Sequence, residues 1–418
     1  MSIKINRTAI AVTIALTSLH AHSAGFQVSE HSASGLGRAF AGEAAIADNA
    51  SVIARNPAAM TMFDSAQISA AGSIVDPSID VKDHAANQTA KDVAPLSFVP
   101  AGYYVQPIND KFAFGLALFT NYGVTTDYPT DFASGDLAGK TSLITINLNP
   151  SIAYRINDQF SIGGGVSLVY ADAELNRHLG RLAPLFSGSP EDKLISMEGD
   201  TWDWSWNVGA LYEVNEDHRF GVSYRSQVNL DFEGDFTDYE GTIIEPKQKG
   251  STAVGNLPVV LPAIAEFSGY HSLTKEFAVH YSVQWTQWSK FEELKATNDK
   301  CNYNGMSGVC FMKDEQYEDN FRWAIGGTYR INPEWTVRTG FAFDEQAGKP
   351  TLSIPDSDRY WYSAGATWAY SSQLSVDVGV TYIHATETTF TEESSAGELT
   401  FTSTGGAVVG AAQVNYSF

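Results

Sequence analysis

From about Asp64 onward the chain repeats one unit: an alternating apolar and polar run, a very short turn, a second alternating run, then a longer polar loop. Side chains of a strand point to opposite faces with period two, so each run reads as a strand with one greasy and one polar face. In the last segment Val414, Tyr416 and Phe418 share one face while Gln413, Asn415 and Ser417 share the other. Val376, Val378, Val380 and Tyr382 stand in the same way against Asp377, Gly379 and Thr381. Trp335, Val337, Thr339, Phe341 and Phe343 stand against Thr336, Arg338, Gly340, Ala342 and Asp344. Trp202, Trp204, Trp206, Val208, Ala210 and Tyr212 line one face of another run. Its tryptophans are expected at a strand end, where a membrane interface favours them.

Short turns rich in Asn, Asp and Ser fall at 107–110, 155–159, 213–219, 271–276, 330–334 and 369–373, as tight hairpins require. Longer loops are expected at roughly 77–94, 125–142, 176–201, 236–261 and 296–314, with shorter ones near 347–351 and 391–397. About fourteen strands result, joined by six short turns and seven longer loops, an even number as outer-membrane barrels need. The runs reach the ~9–11 residues of a tilted membrane strand. Their apolar faces carry more aromatics than a soluble sandwich or propeller has room to hide. A closed barrel satisfies every backbone group in lipid and leaves no edge. The expected fold is all-β: a 14-stranded antiparallel transmembrane β-barrel over 64–418, with both barrel ends on the periplasmic side.

The segments ahead of the barrel read differently. Lys4 and Arg7, an apolar run from Ala9 to Leu19, and Ala21-His22-Ser23 form a secretory signal over 1–23, cleaved before Ala24 and too short to span a bilayer. Residues 24–63 are rich in Ala, Gly and Ser. Fourteen strands enclose a lumen wider than their own side chains fill, and this low-charge segment with Leu36, Phe40, Ile46, Val52 and Ile53 is expected to fold inside it as a plug. Short helices are expected at 39–47 and 57–62, the second capped by Asn56 with Pro57 in its first turn.

Charged residues make up 18% of the chain and aromatics 12%, against about 25% charged in an average soluble domain. A net charge of −22 excludes nucleic acid as a natural partner, since no basic patch exists to release counterions. Cys301 and Cys310 flank an Asn304-Gly305 turn; in an exported chain a disulfide closing this loop is expected, with two free thiols as the alternative. No GxSxG, HExxH, CxxC or GxxxxGK[ST] motif occurs, and the nine histidines show no metal-ligand spacing. Neither an enzyme activity nor a metal or other cofactor is expected. On the residues alone, Gly123 in "FTNYGVTTDY" suits either a bulge or an ordinary twisted strand with a tolerated Gly.

Several long stretches, in order, resemble the FadL family of outer-membrane long-chain fatty acid transporters. "AGFQVSEHSASGLGRAFAGEAAIAD" and "RNPAAMTMFD" look like its hatch; "APLSFVPAGYYVQPINDKFAFGLALFTNYG" looks like its second and third strands; "WSKFEELKAT", "SIPDSDRYWYSAG" and "VDVGVTYIHA" are similar to later strands. The closing "NYSF" is the usual ending of outer-membrane barrels and makes the outer-membrane assembly machinery an expected partner. The resemblance implies passive uptake of long-chain fatty acids or similar hydrophobic ligands. They would be captured outside, moved to a pocket behind the hatch, and released sideways into outer-membrane lipid through a kink in strand 3. Carried over residue by residue, Phe119, Thr120, Asn121, Tyr122 and Gly123 form the kink, with Ser97 lining the opening and Asn56-Pro57-Ala58 supporting it. Arg177 and Lys295 match positions that meet the ligand carboxylate, and Phe26 matches a hatch residue that reaches the pocket. An apolar landing groove outside is expected from Leu179, Leu182, Leu185 and Phe186 with Leu257, Val259, Val260 and Leu261. Other readings keep the architecture for aromatic hydrocarbons, make it a general porin, or make it a membrane-embedded lipase.

Overall fold

The computed structural model describes residues 25–418; the signal segment 1–23 and Ala24 lie outside them. Fourteen antiparallel strands close a barrel: β1 Gln67–Asp83, β2 Ser97–Pro107, β3 Phe112–Phe119 continuing as Gly123–Asp127, β4 Lys140–Arg155, β5 Phe160–His178, β6 Lys193–Asn215, β7 His218–Arg225 continuing as Val228–Asp238, β8 Ser251–Leu261 continuing as Ile264–Ser272, β9 Phe277–Thr286, β10 Asn320–Arg330, β11 Trp335–Asp344, β12 Arg359–Ala369, β13 Leu374–Ser394 and β14 Gly397–Ser417. Closure is a continuous ladder between β1 and β14, from Gln67 opposite Ser417 to Asp83 opposite Phe401. All six short turns fall where the Asn, Asp and Ser clusters stand. Asn109, Asn157, Asn215 and Asn332 accept, through their side-chain oxygens, the backbone N–H groups two and three residues on, the local bond that favours Asn in turns.

Alternation sets the two faces. Ile144, Ile146, Leu148 and Ile152 of β4 point outward, while Leu143, Thr145, Asn147, Asn149 and Ser151 are buried inward. Tyr170 and Trp202 meet as a directly paired aromatic couple, ring centroids 4.9 Å apart, on the outer rim of this band. Strands extend well beyond it. β5 runs to His178 and β6 starts at Lys193, so the expected 176–201 loop shrinks and Trp202 lies inside a strand. Residues 251–261, expected in a loop, are strand. The expected loop at 296–314 is a hairpin of Glu293–Tyr303 and Met306–Asp314, turning at Asn304-Gly305, with Cys301 and Cys310 bonded at an S–S distance of 2.06 Å.

Residues 25–63 fill the lumen. The expected helix at 39–47 is absent, because Ala39 (φ 52°), Phe40 (φ 54°) and Gly42 (φ 82°) take left-handed backbone, which ends a right-handed helix. Single helical turns form instead at Ala33–Leu36 and Val52–Arg55. Pro57–Met62 is a 3₁₀ turn capped by Asn56, whose Oδ1 accepts from the Ala58 N–H at 3.0 Å. Small residues allow hatch and wall to touch backbone to backbone. A Cβ on Gly221 of β7 would stand 1.8 Å from the Ala44 carbonyl oxygen, and one on Gly340 of β11 would stand 2.1 Å from the Arg38 backbone. Ion pairs tie the plug to itself and to the wall: the buried pairs Arg38 to Glu43 (2.8 Å) and Arg55 to Glu266 of β8 (3.4 Å), and the exposed Asp48 with Arg38 (2.7 Å) and with Arg338 of β11 (3.3 Å).

Candidate functional site

The third strand breaks at Thr120–Tyr122. Below the break, β2 and β3 pair from Pro107 opposite Ala113 to Gly102 opposite Leu118. Above it, Ser97–Ala101 pair only with β1, and Gly123–Asp127 pair only with β4. Buried backbone groups need partners, and at the break they find them inside the barrel. The Thr120 carbonyl meets His31 Nε2 at 2.8 Å, the Asn121 carbonyl accepts from Val28 N–H at 2.8 Å, and the Tyr122 carbonyl accepts from Thr145 Oγ1 at 2.6 Å. Gly123 N–H donates to the Phe26 carbonyl at 3.0 Å. The start of the hatch thus replaces β2 as the partner of the kinked strand. Gly123 has ordinary backbone angles, and a Cβ there would make only ordinary contacts of 3.5 and 3.6 Å. Its absent side chain leaves space.

That space is a gap through the wall. Inside it meets Arg359, Trp361 and Ile383; outside it meets the lipid-facing Phe98, Leu118, Ile144 and Ile146; Ser97, Phe119, Thr120 and Gly123 line it. Asn121 and Tyr122 are buried beside it, with Tyr122 Oη donating to the Pro262 carbonyl at 2.8 Å.

A second, apolar cavity lies above the hatch, walled by Phe26, Leu143, Phe232, Val259, Phe291 and Ile354. Phe26 is clamped edge-on by Tyr122, Trp288 and Phe291 at centroid distances of 6.0, 4.7 and 5.3 Å. Val124, Leu143 and Ile354 line both spaces. Arg177, two residues beyond the cavity-lining Leu175 of β5, is 2% exposed. Its Nη2 donates to Ser353 Oγ at 2.8 Å, and its Nη1 to the Asn176 carbonyl at 2.8 Å. Burial pushes the guanidinium down to about 10, against the pull of Glu392. Lys313 Nζ reaches the same Ser353 Oγ at 3.2 Å and pairs with Glu392 at 3.1 Å. The two cations therefore converge on one hydroxyl next to Ile354 of the apolar wall.

Lys295 does not join Arg177. In the outer hairpin Leu294 stands opposite Lys313 and Lys295 opposite Met312. Opposed residues share a face and successive residues alternate. Leu294 lines the cavity, which puts Lys313 on the inner face and Lys295 on the other. Two register shifts, between Ala296 and Thr297 and between Thr297 and Asn302, separate these pairs from the Asn-Gly turn, so the turn alone does not give the face of Lys313. Ser353, Glu315 and His31 carried no local signal, because each is brought in by a distant segment.

Asn56, Pro57 and Ala58 make their hydrogen bonds away from the kink, while Ala58 shares an apolar cluster with Phe119. Asn56 is fully buried, and its Nδ2 donates to the carbonyls of Ala44 (2.6 Å) and Ala210 (3.0 Å). Gly209 faces it so closely that a Cβ would lie 2.0 Å from Asn56 Oδ1. The triplet seats the hatch on β5 and β6, and the 3₁₀ turn it opens also packs on β3 and β4 below the opening. Asn56→Ala strands two buried carbonyls and removes the cap, so the hatch is expected to lose about 2–4 kcal/mol of local stability. Hydrogen exchange at Ala58 and neighbouring amides should accelerate, while heat-modifiable electrophoretic mobility stays that of a folded barrel. Unchanged exchange would remove this anchoring role.

The expected outer groove does not form from the residues assigned to it. Leu179 and Leu182 are buried, Leu185 is 76% exposed and Phe186 is half-buried. Leu257 and Val259 line the internal cavity, Leu261 belongs to the same apolar cluster, and Val260 lies on the opposite face of β8. The cause is the greater length of β8: strand alternation sends these side chains into and out of the barrel instead of over a loop.

A closed barrel stoppered by its own N-terminal segment, with an apolar chamber above the stopper, defines an outer-membrane transport protein for hydrophobic molecules. The chain belongs to the family described as outer membrane protein transport protein (OMPP1/FadL/TodX), which matches residues 14–418. It is 41% identical over 444 residues to the long-chain fatty acid transport protein of Escherichia coli O6:H1, covering 99% of this chain and 98% of that one. Among solved structures it resembles a FadL homologue of Pseudomonas aeruginosa, with TM-score 0.82, 23% identity and coverage of 94% of this chain and 100% of that one. It also resembles the P. putida toluene transporter TodX, with TM-score 0.70, 15% identity and coverage of 96% and 99%. These likenesses to solved structures bear on the fold. The protein resides in the bacterial outer membrane.

Proposed function

We propose that this chain takes up long-chain fatty acids, without a catalytic step, and releases them sideways into the outer leaflet. The carboxylate sits between Arg177 and Lys313 at Ser353, and the tail lies in the cavity bounded by Phe26, Leu143, Phe232 and Phe291. Charge-assisted hydrogen bonds fix the head, and each buried CH₂ adds roughly 0.8 kcal/mol. The tail then passes from the cavity to the wall gap past Val124 and Leu143 and meets lipid between β2 and β3. The observation that carries this reading is the shared lining of the two spaces by Val124, Leu143 and Ile354: Ile354 follows Ser353, where Arg177 and Lys313 converge, and the second space opens on the lipid face. Outer-membrane lipid is then the acceptor. The exposed Tyr416 and Phe418 at the end of β14 are the natural signal for the outer-membrane assembly machinery. The name of the E. coli relative agrees with this substrate class. A toluene-like cargo has no use for two buried cations.

Cells lacking their own transporter should accumulate labelled oleate when they express this chain. The purified protein in detergent should bind oleate at least about tenfold tighter than oleyl alcohol, since one charge-assisted contact is worth 1.5–3 kcal/mol. Equal affinities would remove the head-group assignment; no uptake would remove the substrate class.

A further inference from the structure

Glu315 is a buried acid with no part in the fold or in the proposed route. It follows the outer hairpin and precedes β10, above the lipid-facing band that begins on that strand at Phe321. It is 1% exposed, and neither carboxylate oxygen has a hydrogen-bond partner. Lys313 Nζ stands 3.7 Å away, beyond hydrogen-bond reach, because Glu392 and Ser353 hold it at 3.1 and 3.2 Å. Glu315 faces Lys313 from its own hairpin, Glu392 from β13 and Arg177 from β5. Tyr317 lies two residues on, and Tyr128 and Asp136, between β3 and β4, face Arg177. Burial is the largest influence on this carboxyl; with Glu392 it outweighs the pull of Lys313 and Arg177 and brings Glu315 up to about 7.

Among Glu315 and the charged groups that face it, the charges cancel: Arg177 and Lys313 against Glu315 and Glu392. A ligand carboxylate entering this dry cluster adds a negative charge with no cation to spare. An unpaired buried charge neutralises itself when it can; Glu315 has both oxygens unsatisfied, whereas Asp136 leaves only Oδ1 without a partner and its Oδ2 accepts from Ser394. We propose that Glu315 is the proton acceptor of the head-group site: it takes one proton from solvent as an anionic head group settles between Arg177 and Lys313, and returns it when the head group leaves. This rests on the head-group reading above. No bond other than the carboxyl O–H forms or breaks. Protonation frees Lys313 from Glu315 and turns that side chain into a hydrogen-bond donor.

The sign follows from linkage. Where free Glu315 is already protonated, affinity does not depend on pH; above its free value, binding must draw in a proton, and affinity falls by up to about tenfold per pH unit. The test is calorimetric titration of the full-length protein in detergent, in buffers of unequal ionisation enthalpy, with oleate and with hexadecanesulfonate, whose head stays anionic throughout. Wild type should take up close to one proton per sulfonate at pH 8 and weaken several-fold from pH 7.5 to 8.5. Glu315→Gln should bind with no proton uptake and a flat pH profile. Wild-type binding without proton uptake, or uptake that persists in Glu315→Gln, overturns the proposal and leaves the head-group site standing. Failure of wild type to bind either anion sinks the head-group reading and this proposal with it. Difference infrared spectra of wild type give a check independent of the variant: a protonated-carboxyl band should appear on adding sulfonate, and its absence counts against Glu315.

Discussion

Gly123→Phe is expected to lower oleate uptake to the level of cells without the protein, while oleate binding in detergent stays close to wild type. The aromatic ring would occupy the gap between the free edge of β2 at Ser97 and Phe98 and the upper part of β4, closing the way to lipid without reaching the cations at Ser353. Gly123→Ala is the control. The position has ordinary backbone angles and room for a methyl group, so alanine should transport nearly as well as glycine. If both variants lose uptake equally, the position matters for conformation and not for space. If neither does, the ligand does not leave beside β3.

Arg177→Met and Lys313→Met should each weaken oleate binding roughly 10- to 100-fold, the loss of one charge-assisted hydrogen bond of 1.5–3 kcal/mol. Oleyl alcohol should bind the variants as it binds wild type. Because both cations meet the same Ser353 hydroxyl, the double variant should lose less than the product of the single effects. Lys295→Met separates two assignments of the second cation. It stands on the opposite face of the outer hairpin from Lys313, and its removal should leave oleate affinity unchanged. A large effect at Lys295 and none at Lys313 would reverse the assignment.

Much of the scaffold was legible because strand alternation is a local property. Val414-Gln413 and Ile144-Leu143 announce their faces two residues at a time, and Asn109, Asn157, Asn215 and Asn332 announce their turns by bonds that span three residues. The strands were read too short at their outer ends. Polar residues such as Glu174, Glu198 and Asp235 interrupt the greasy face there although the hydrogen-bond ladder continues. That error displaced Leu257, Val259 and Leu261 from wall to loop. The helix expected at 39–47 failed for a different reason: Ala39 and Phe40 take left-handed angles held by contacts with the far wall, and neither residue type signals this.

The amino-acid sequence alone determined a closed, outward-greasy barrel with its own N-terminal stretch as a plug, since periodicity, turn chemistry and the low charge of residues 24–63 need no distant partner to be read. Which residues make the site was decided only by the tertiary structure. Ser353 reaches Arg177 across 176 positions of sequence and Val28 replaces β2 at the Asn121 carbonyl. Such contacts depend on strand register around the whole barrel, where a shift of one residue turns Lys313 out and Lys295 in.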